Sequence, residues 1–444
     1  MNIVRIEISY IVPAFNLEAT NTATNSTSNN SKSDISFTNN SSTAITESEQ
    51  GFALGSYFYG YIISQVPLAI LGKQYGNHLV FGIITGLTGV LNILLSFSPS
   101  LRFLGYGRIL VGLLQGGSYP LLHGIWPEFA PVGQVATLIS IEYAGGGFGA
   151  FLATPVCALI GHWSRTLMLT GVVGLVFTVF WFILFMNLRR ENGSRVFEKN
   201  ENGNENPEKP IPWLRIITNP AFLSLVAAQI SSNFGSYTVQ LLSVKYIVDY
   251  LSLDLKSAGF LGALPSLAKP ISCLLIGPFS DYLIAKNPSH KTPAQHRLTI
   301  RKLLSWVLFL GTSLSFFMML PIKNNLKGII LLWSIVMALD GFGPAAFKAN
   351  HIEIAPSFSG ITFSIANMFG NLPGIVAPGL CGFLLERFSD DKGFAWSLVF
   401  VETGVFCVFG AFIFQCFSSV EKQEFEDQGD RVDEEEVQEF RTQV

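Results

Sequence analysis

Apolar runs of about 20 residues recur along most of this chain, and they constrain its fold more than any other feature. A helix needs about 20 apolar residues to cross the hydrocarbon core of a bilayer. Charged residues make up 13% of the chain, about half the share found in soluble proteins. The sequence therefore predicts an all-α membrane protein. Its eleven predicted spans lie near 52–72, 78–98, 102–124, 134–160, 166–188, 220–250, 257–283, 301–321, 326–348, 358–385 and 394–417.

The region before the first of these spans contains part of one further helix. Residues 3–15 are apolar but too few to cross a bilayer alone, so we expect the first helix to be truncated in this sequence. The next segment, 16–50, is rich in Asn, Ser and Thr and lacks apolar periodicity. It holds four N-glycosylation sequons, which either mark an extracellular or lumenal loop or arise by chance from its composition: Asn25, Asn29, Asn39 and Asn40.

Basic residues are distributed unevenly among the loops. Segments 189–219 and 284–302 are rich in Lys and Arg, whereas segment 16–50 has only Lys32. Because positive charge favours cytoplasmic loops, the two basic segments are predicted to be cytoplasmic and segment 16–50 to lie outside. The expected domains are an N-terminal helix bundle (1–188), a cytoplasmic linker (189–219), a C-terminal helix bundle (220–417) and an acidic, solvated cytoplasmic tail (418–444).

Arg108 is a permanent charge within the predicted span 102–124. A guanidinium in lipid costs at least about 3 kcal/mol even after snorkelling, so such a residue is expected to face a polar cavity or a partner. Gln115 lies seven residues further on, two turns along the same helical face. The stretch from Arg108 onward is therefore predicted to line a permeation pathway.

The two halves of the chain contain similar passages. Ala130–Pro131 is followed by a Gly-rich stretch that includes Gly145–Gly149, and Ala355–Pro356 is followed by a second Gly-rich stretch. A His precedes each passage: His123 in the first half and His351 in the second. Repeated halves joined by a hinge are typical of two-bundle transporters with a site at the bundle interface. Glycines at 145–149 are expected to permit close helix approach.

Four motifs resemble those of one transporter family. They are GSYFYGYIISQVP, RILVGLLQGGSYPLLHGIWPEFAP, ISIEYAGGGFGAFLATPVCALIG and NHIEIAPSFSGITFSIANMFGNLPGIVAPGLCG, and they occur in the family's order. The chain thereby resembles solute carrier family 17, the sialin, vesicular glutamate and sodium–phosphate transporters of the major facilitator superfamily. The resemblance implies the major facilitator fold, with twelve helices in two six-helix bundles. It also implies alternating-access transport of small organic anions or inorganic phosphate, coupled to sodium or protons.

The resemblance also suggests which residues serve the transport site. The first-helix and fourth-helix arginines of the family fall on Arg5 and Arg108, and a guanidinium suits carboxylate or phosphate. The candidate substrate-binding residues are Arg5, Arg108, Tyr119, Asn233, Tyr237 and Asn367. For Tyr119 and Tyr237, plain packing remains an alternative. The candidate coupling or gating residues are Gln115, His123, Glu142, Lys269, Asn350 and His351.

Departures from the family pattern concern the coupling residues. Gln115 stands where the family has a glutamate, and an amide cannot exchange a proton near neutral pH. The loop motif APPxER reads APVGQ at 130–134, without its charge pair. We hypothesise that Glu142 pairs with Lys269 across the bundle interface and takes over protonation. A structural ion pair or a residue at the lipid interface is the alternative.

Other classes of function find little support in the sequence. It shows no catalytic triad, metal-ligand spacing or nucleic-acid patch, and we expect no cofactor beyond sodium or a proton as coupling ion. The expected partners are a small anionic substrate and the lipid bilayer, with the chain acting as a monomer in a plasma, lysosomal or vesicular membrane. The alternative function is a transport-inactive relative that acts as a membrane receptor or scaffold. The truncated first helix, the lost loop charges and Gln115 motivate that alternative.

Overall fold

The computed structural model describes residues 47–129, 133–160, 162–191, 211–253, 255–286, 288 and 291–425. Several predictions lie outside these residues. They concern the first-helix piece 3–15 with Arg5, the four sequons, most of the linker 189–219, and the tail beyond 425.

The described part of the first half is folded into long antiparallel and parallel helices. In chain order these are α1 (Glu47–Tyr75), α2 (Asn77–Leu95), α3 (Leu101–Gln115), α4 (Ser118–Phe129), α5 (Val135–Ile160) and α6 (Trp163–Glu191).

The second half repeats this arrangement, with more short turns. Its α-helices are α7 (Trp213–Thr218), α8 (Pro220–Asp249), α9 (Leu255–Ala263), α10 (Ala268–Ala285), α11 (Pro293–Ile322), α12 (Leu326–Asp340), α13 (Asn350–Ile354), α14 (Ser359–Gly370), α15 (Pro373–Arg387) and α16 (Lys392–Phe417). Three irregular turns connect some of them: a 3₁₀ turn (Leu264–Leu267), a π-helical turn (Pro344–Lys348) and a 3₁₀ turn (Pro356–Phe358).

Each predicted span coincides with one helix or with consecutive helices. Among the described residues, eight continuous helical segments are long and apolar enough to cross a membrane, judged by length and composition. The other spans are α1, the broken pair α3–α4, and α8. These three carry several of the polar side chains of the bundle interface, and α3 is separated from α4 at Gly116–Gly117.

Glycines bring the helices into close contact where the site is built. Helices α1 and α3 pack backbone to backbone, since a Cβ at Gly60 would clash with the carbonyl of Ile109 and one at Gly112 with that of Tyr57. The two halves meet mainly where α5 packs on α10 and where α14 packs on α1 and α4. The predicted close approach within 145–149 is confirmed at Gly147, where a Cβ would lie 2.9 Å from Cδ of Pro270.

The end of the bundle that carries the basic loops is called the cytoplasmic end below, after the prediction from charge bias. At this end, the first residues of the tail that was predicted to be solvated pack against the C-terminal bundle. Gln423 donates its backbone N–H to the carbonyl of Ile354 at 3.0 Å, and its side chain accepts from Asn219 at 3.0 Å. Phe425 is buried. Apolar Val420 and Phe425 explain the difference, because charge-based reasoning gives such side chains no weight.

Candidate substrate and coupling site

Arg108 lies inside the protein, as its position in the sequence predicts. Its side chain has 0% relative exposure, and its guanidinium carbon is 5.3 Å from the ring centroid of Tyr57 on α1. That distance is typical of a cation–π contact. The hydroxyl of Tyr57 donates to Oε1 of Gln115 at 3.0 Å. Arg108 and Gln115 therefore share one neighbour, because the glycine contacts between α1 and α3 bring Tyr57 between them.

Asn367 of α14 is the centre of an amide network that joins the two bundles. Its Nδ2 donates to Oε1 of Gln65 on α1 at 2.7 Å, and the hydroxyl of Tyr61 lies 3.5 Å from the same nitrogen. Its Oδ1 accepts from Nε2 of Gln229 on α8 at 3.3 Å. Tyr61 stacks on Tyr57, with ring centroids 5.4 Å apart, so the network continues to the ring below Arg108.

Asn233 and Tyr237 hold the break between α14 and α15. Nδ2 of Asn233 donates to the carbonyl of Gly370 at 2.6 Å, and the hydroxyl of Tyr237 donates to Oδ1 of Asn371 at 2.7 Å. Both side chains are buried at the bundle interface. In this structure they therefore position the interrupted helix beside the network around Asn367.

Glu142 faces α4 from the adjacent helix α5. Its Oε2 accepts from Nε1 of Trp126 at 2.8 Å, and Nδ1 of His123 is 3.9 Å from its Oε1. Among the described residues, Oε1 has no hydrogen-bond donor. The side chain is only 6% exposed, so this is a buried carboxyl with one oxygen held and the other available.

The expected pairing of Glu142 with Lys269 is wrong. Nζ of Lys269 lies 2.5 Å from Oδ2 of Asp340, and Oδ1 of Asp340 accepts from Ser232 at 2.8 Å. Asp340 is on α12, inside the same bundle as Lys269, whereas Glu142 is turned toward Trp126. Depth along a helix was the basis of the expectation, and depth does not specify the direction in which a side chain points.

Lys348 is the functional candidate that sequence reasoning missed. It is 2% exposed, and its Nζ lies 3.8 Å from the ring centroid of Tyr143 on α5. The ring of Tyr143 has two further neighbours. Nζ of Lys269 is 5.9 Å from its centroid, and the ring of Tyr119 stacks on it with centroids 4.9 Å apart. The predicted span 326–348 places Lys348 at a membrane boundary, but the π-helical turn directs it inward. Pro344 within that span was the available signal, because a proline disrupts a regular helix.

The two repeat-related histidines converge on one phenylalanine of α14. The ring of His123 stacks on Phe363, with centroids 3.8 Å apart and planes 17° apart, and its Nδ1 is 3.2 Å from the carbonyl of Tyr119. His351 meets the same Phe363 edge-on at 5.4 Å, and its Nδ1 is 3.3 Å from the hydroxyl of Thr362. Asn350, beside His351, is buried, and within the described residues neither of its amide atoms is hydrogen-bonded. These residues lie between the bundles at their cytoplasmic half.

Contacts across the interface close the cytoplasmic end. Oδ2 of Asp281 at the end of α10 accepts from the backbone N–H of Thr137 at 2.8 Å and from its hydroxyl at 2.6 Å. Asp281 thus caps the N-terminus of α5, a helix of the other bundle. Ser359 donates to the carbonyl of His123 at 3.1 Å, and Nζ of Lys73 lies 4.2 Å from the ring of Phe358.

The chemistry available at this interface is anion recognition and proton exchange. Arg108 and the lysines supply positive charge, and Glu142 supplies a carboxyl. In the part of the chain that the structure describes, no group of three or more His, Cys, Asp or Glu side chains is arranged to hold a metal ion.

Comparisons with known proteins identify the family of this chain. The sequence profile of the Major Facilitator Superfamily matches residues 5–378. Sialin from Homo sapiens is 30% identical over 393 residues, which cover 84% of this chain and 76% of sialin. Vesicular glutamate transporter 2 from Homo sapiens is 26% identical over 396 residues, which cover 85% of this chain and 66% of that protein.

A solved structure shows the same fold. The proton:xylose symporter XylE, bound to 6-bromo-6-deoxy-D-glucose, superimposes with a TM-score of 0.66 at 15% identity, with 96% of each chain covered. These relatives are transporters rather than enzymes, and the chain is accordingly a multi-pass membrane protein. It belongs to the major facilitator superfamily and, within it, to solute carrier family 17, the family of sialin and the vesicular glutamate transporters.

Proposed function

We propose that the chain is a secondary transporter of small organic anions or phosphate that works by alternating access, with Arg108 as its anion-binding group. The observation that carries this proposal is a fully buried guanidinium on the ring of Tyr57, which stacks on Tyr61 beside Asn367 of the other bundle. The vesicular glutamate transporters among its relatives are named for an anionic substrate. A guanidinium can bind carboxylate or phosphate through two parallel hydrogen bonds.

The contacts between the bundles support a rocking mechanism. Asn367 joins α1 to α8 and α14, while Asp281 and Ser359 join the bundles at the cytoplasmic end. Opening toward the cytoplasm would break these few hydrogen bonds and expose the interface from that side. Because hydrogen bonds of this kind contribute only about 1 kcal/mol each in net terms, substrate binding can compensate for their loss.

Coupling to a proton at Glu142 is the second part of the proposal. Gln115 cannot exchange a proton, whereas Glu142 is a buried carboxyl whose Oε1 accepts no hydrogen bond from the part of the chain that the structure describes. The charged and titratable groups around it are His123 of α4, whose Nδ1 is 3.9 Å from Oε1, its neighbour Tyr143 on α5, and Lys348 of the π-helical turn, which lies over the ring of Tyr143. Movement of the bundles would change this environment and with it the proton occupancy of Glu142.

Uptake into proteoliposomes of the purified full chain tests the proposal. The labelled probes are phosphate, sialate and glutamate, each measured under an imposed proton gradient and an imposed sodium gradient. Arg108→Gln is expected to reduce uptake of the transported anion by about 100-fold, since it removes two charge-assisted hydrogen bonds. Arg102→Gln, an exposed arginine on the same helix, is the matched control and should transport normally.

Two results would contradict the proposal. Uptake that is equal for Arg108→Gln and the unmodified protein would remove Arg108 from the site. No flux of any probe under either gradient would favour the receptor or scaffold function. A response to sodium and not to protons would contradict only the coupling role of Glu142.

A further inference from the structure

The first residues after α16 lie against the cytoplasmic end of the C-terminal bundle. Segment 418–425, called the strap below, has two buried apolar side chains, Val420 at 6% and Phe425 at 3% exposure. The charged residues between them are exposed: Glu421, Lys422 and Glu424. The strap therefore has one face against the protein and one face toward solvent.

Two hydrogen bonds fasten the strap to the ends of two helices. The backbone N–H of Gln423 donates to the carbonyl of Ile354 at 3.0 Å, and Oε1 of Gln423 accepts from Nδ2 of Asn219 at 3.0 Å. Ile354 is the last residue of α13, and the final carbonyls of a helix have no partner within it. Asn219 is the N-cap of α8, because its Oδ1 accepts from the N–H of Phe222 at 2.9 Å. The strap thus ties the end of α13 to the start of α8.

The turn that follows α13 makes contacts to the other bundle. This segment, 355–359, is called the gate turn below, and its first residue leaves the helical conformation with φ −151° and ψ 71°. Nζ of Lys73 lies 4.2 Å from the ring centroid of Phe358, and the hydroxyl of Ser359 donates to the carbonyl of His123 at 3.1 Å. The gate turn is therefore part of the closure between the bundles at the cytoplasmic end.

The strap and the gate turn also belong to one apolar core. Phe425 is buried in the same cluster as Ile354 and Phe358, and so is Ile216, at the point where the linker enters the C-terminal bundle. Breaks between helices are where conformational changes are usually absorbed. Anything that moves Phe425 would therefore act on the gate turn and on the end of the linker together.

We infer that the strap is a regulatory device that holds the gate turn in the form that closes the cytoplasmic end, so that displacement of the strap opens the interface on that side. A turn that is already held in its closed form loses less conformational freedom when the bundles close. The strap would act in this way whichever anion is transported, so its role is separate from the anion site at Arg108.

The strap is suited to detach while the bundle stays folded. It is held by two buried apolar side chains and by the two hydrogen bonds of Gln423, which is a small set of contacts for eight residues. Segments with few buried contacts open locally at a lower free energy than the whole fold. Its exposed charged face leaves it accessible from the cytoplasm.

Alkylation of a cysteine at the bundle interface tests the inference, using the purified full chain in lipid nanodiscs. The cysteine replaces Ser140 of α5, which is buried beside Gly277 of α10, and its modification by a maleimide is quantified by mass spectrometry at that position. Phe425→Ser removes the main apolar contact of the strap and should accelerate alkylation about fivefold or more. Lys422→Ser, at an exposed residue of the same strap, is the matched control and should react like the unmodified chain.

A second pair of variants isolates the hydrogen bond to the gate turn. Gln423→Pro removes the backbone N–H that binds Ile354, whereas Gln423→Ala keeps it and loses only the contact with Asn219. Gln423→Pro should accelerate alkylation by about threefold or more, as one lost hydrogen bond implies. Gln423→Ala should have the smaller effect of the two.

A second reporter separates gate opening from general loosening of the bundle. A cysteine at Ser305, which is buried on α11, should stay unreactive in every variant. Equal acceleration at positions 140 and 305 would show that the strap only stabilises the fold, and it would overturn the inference. So would a rate at position 140 that Phe425→Ser leaves unchanged, that Lys422→Ser raises equally, or that is zero in every variant. The measurement uses no substrate, so failure of the anion site at Arg108 would leave its result unaffected.

Discussion

Two regions of the molecule contain buried acidic and basic side chains, and they use them differently. At the cytoplasmic end of the C-terminal bundle, Arg301 donates from Nε and Nη2 to Glu353 and from Nη1 to Ser280 and Ala345. All these groups belong to one bundle. At the interface, Glu142 belongs to one bundle and Lys348 to the other. Among the described residues, Lys348 has no ion pair, and the basic group nearest to Glu142 is the imidazole of His123 at 3.9 Å, which carries a charge only when it is protonated.

This difference separates a structural role from a switching role. A bundle that rocks as a rigid body keeps its internal ion pairs, so the pair of Arg301 and Glu353 is the same in every state. Charges divided between bundles change their surroundings when the bundles move. The ion pair of Lys269 and Asp340 is intermediate between these two roles. Both residues belong to the C-terminal bundle, but the pair lies next to the interface with the other bundle.

The largest expected effect comes from breaking the internal pair. Arg301→Met leaves the carboxylate of Glu353 buried without its principal partner, which costs about 3–5 kcal/mol for a buried pair. Thermal unfolding of the purified protein in detergent measures this loss. Arg297→Met is the control: its Nε is 3.8 Å from Glu353, but the side chain is 40% exposed, so it should cost at most about 1 kcal/mol. Equal losses in both variants would contradict the structural assignment.

A smaller loss of stability is expected at the bordering pair. Asp340→Asn removes the carboxylate nearest to Lys269 and should cost about 1.5–3 kcal/mol, since Lys269 retains partial access to solvent. Adding Lys269→Met should recover part of this loss, because it removes the uncompensated charge. A double-mutant cycle on unfolding free energies measures the coupling. Purely additive losses would show that the two residues do not depend on one another.

Glu142→Gln should change coupling far more than stability. The substitution preserves shape and the acceptor for Trp126, so we expect a stability change below about 1 kcal/mol. Uptake should lose its dependence on the proton gradient, because the amide cannot release a proton. Glu402→Gln, another carboxyl on a membrane helix, should retain that dependence. Unchanged pH dependence in Glu142→Gln would assign coupling to a different group.

The smallest expected effect concerns the closure at the cytoplasmic end. Asp281→Ala removes a helix cap worth about 1 kcal/mol, which corresponds to roughly a fivefold shift toward the opened state. Alkylation of a cysteine placed at the buried Ser140, applied from the cytoplasmic side, reports this shift. Asp391→Ala removes a comparable cap from α16, where Asp391 accepts from Phe394 at 2.9 Å within one bundle. Faster alkylation in both variants would mean that the loss of any helix cap opens the protein, and not specifically the loss of the contact between Asp281 and Thr137 across the bundles.

The helical architecture and Arg108 follow from sequence reasoning because each depends on local rules. The length of an apolar segment determines whether it can cross the bilayer as a helix. A spacing of seven residues places Arg108 and Gln115 on one face of their helix. Asn233, Tyr237 and Asn367 do lie at the interface, where their hydrogen bonds join helices to each other. Their roles in substrate binding stay predictions.

The pairing of the buried charges did not follow from the sequence. Glu142 and Lys269 have suitable signs and depths, but the rotation of α5 and α10 about their axes turns them to different partners. Lys348 was missed for a related reason: a single π-helical turn rotates it from a boundary position to the interface. The position of that turn depends on residues far away in the chain, because Lys348 lies over Tyr143 and Arg301 binds the carbonyl of Ala345.

The sequence by itself determined that the chain crosses a membrane as two repeated helical halves and that one arginine must be sheltered within it. Those conclusions rest on the energetic cost of placing polar groups in lipid, which acts on every segment separately. Only the tertiary structure decided which charges are shared within a bundle and which face each other across the interface. That choice depends on the relative rotation of helices, and side-chain interactions that change over a few ångströms cannot be read from spacing along a single helix.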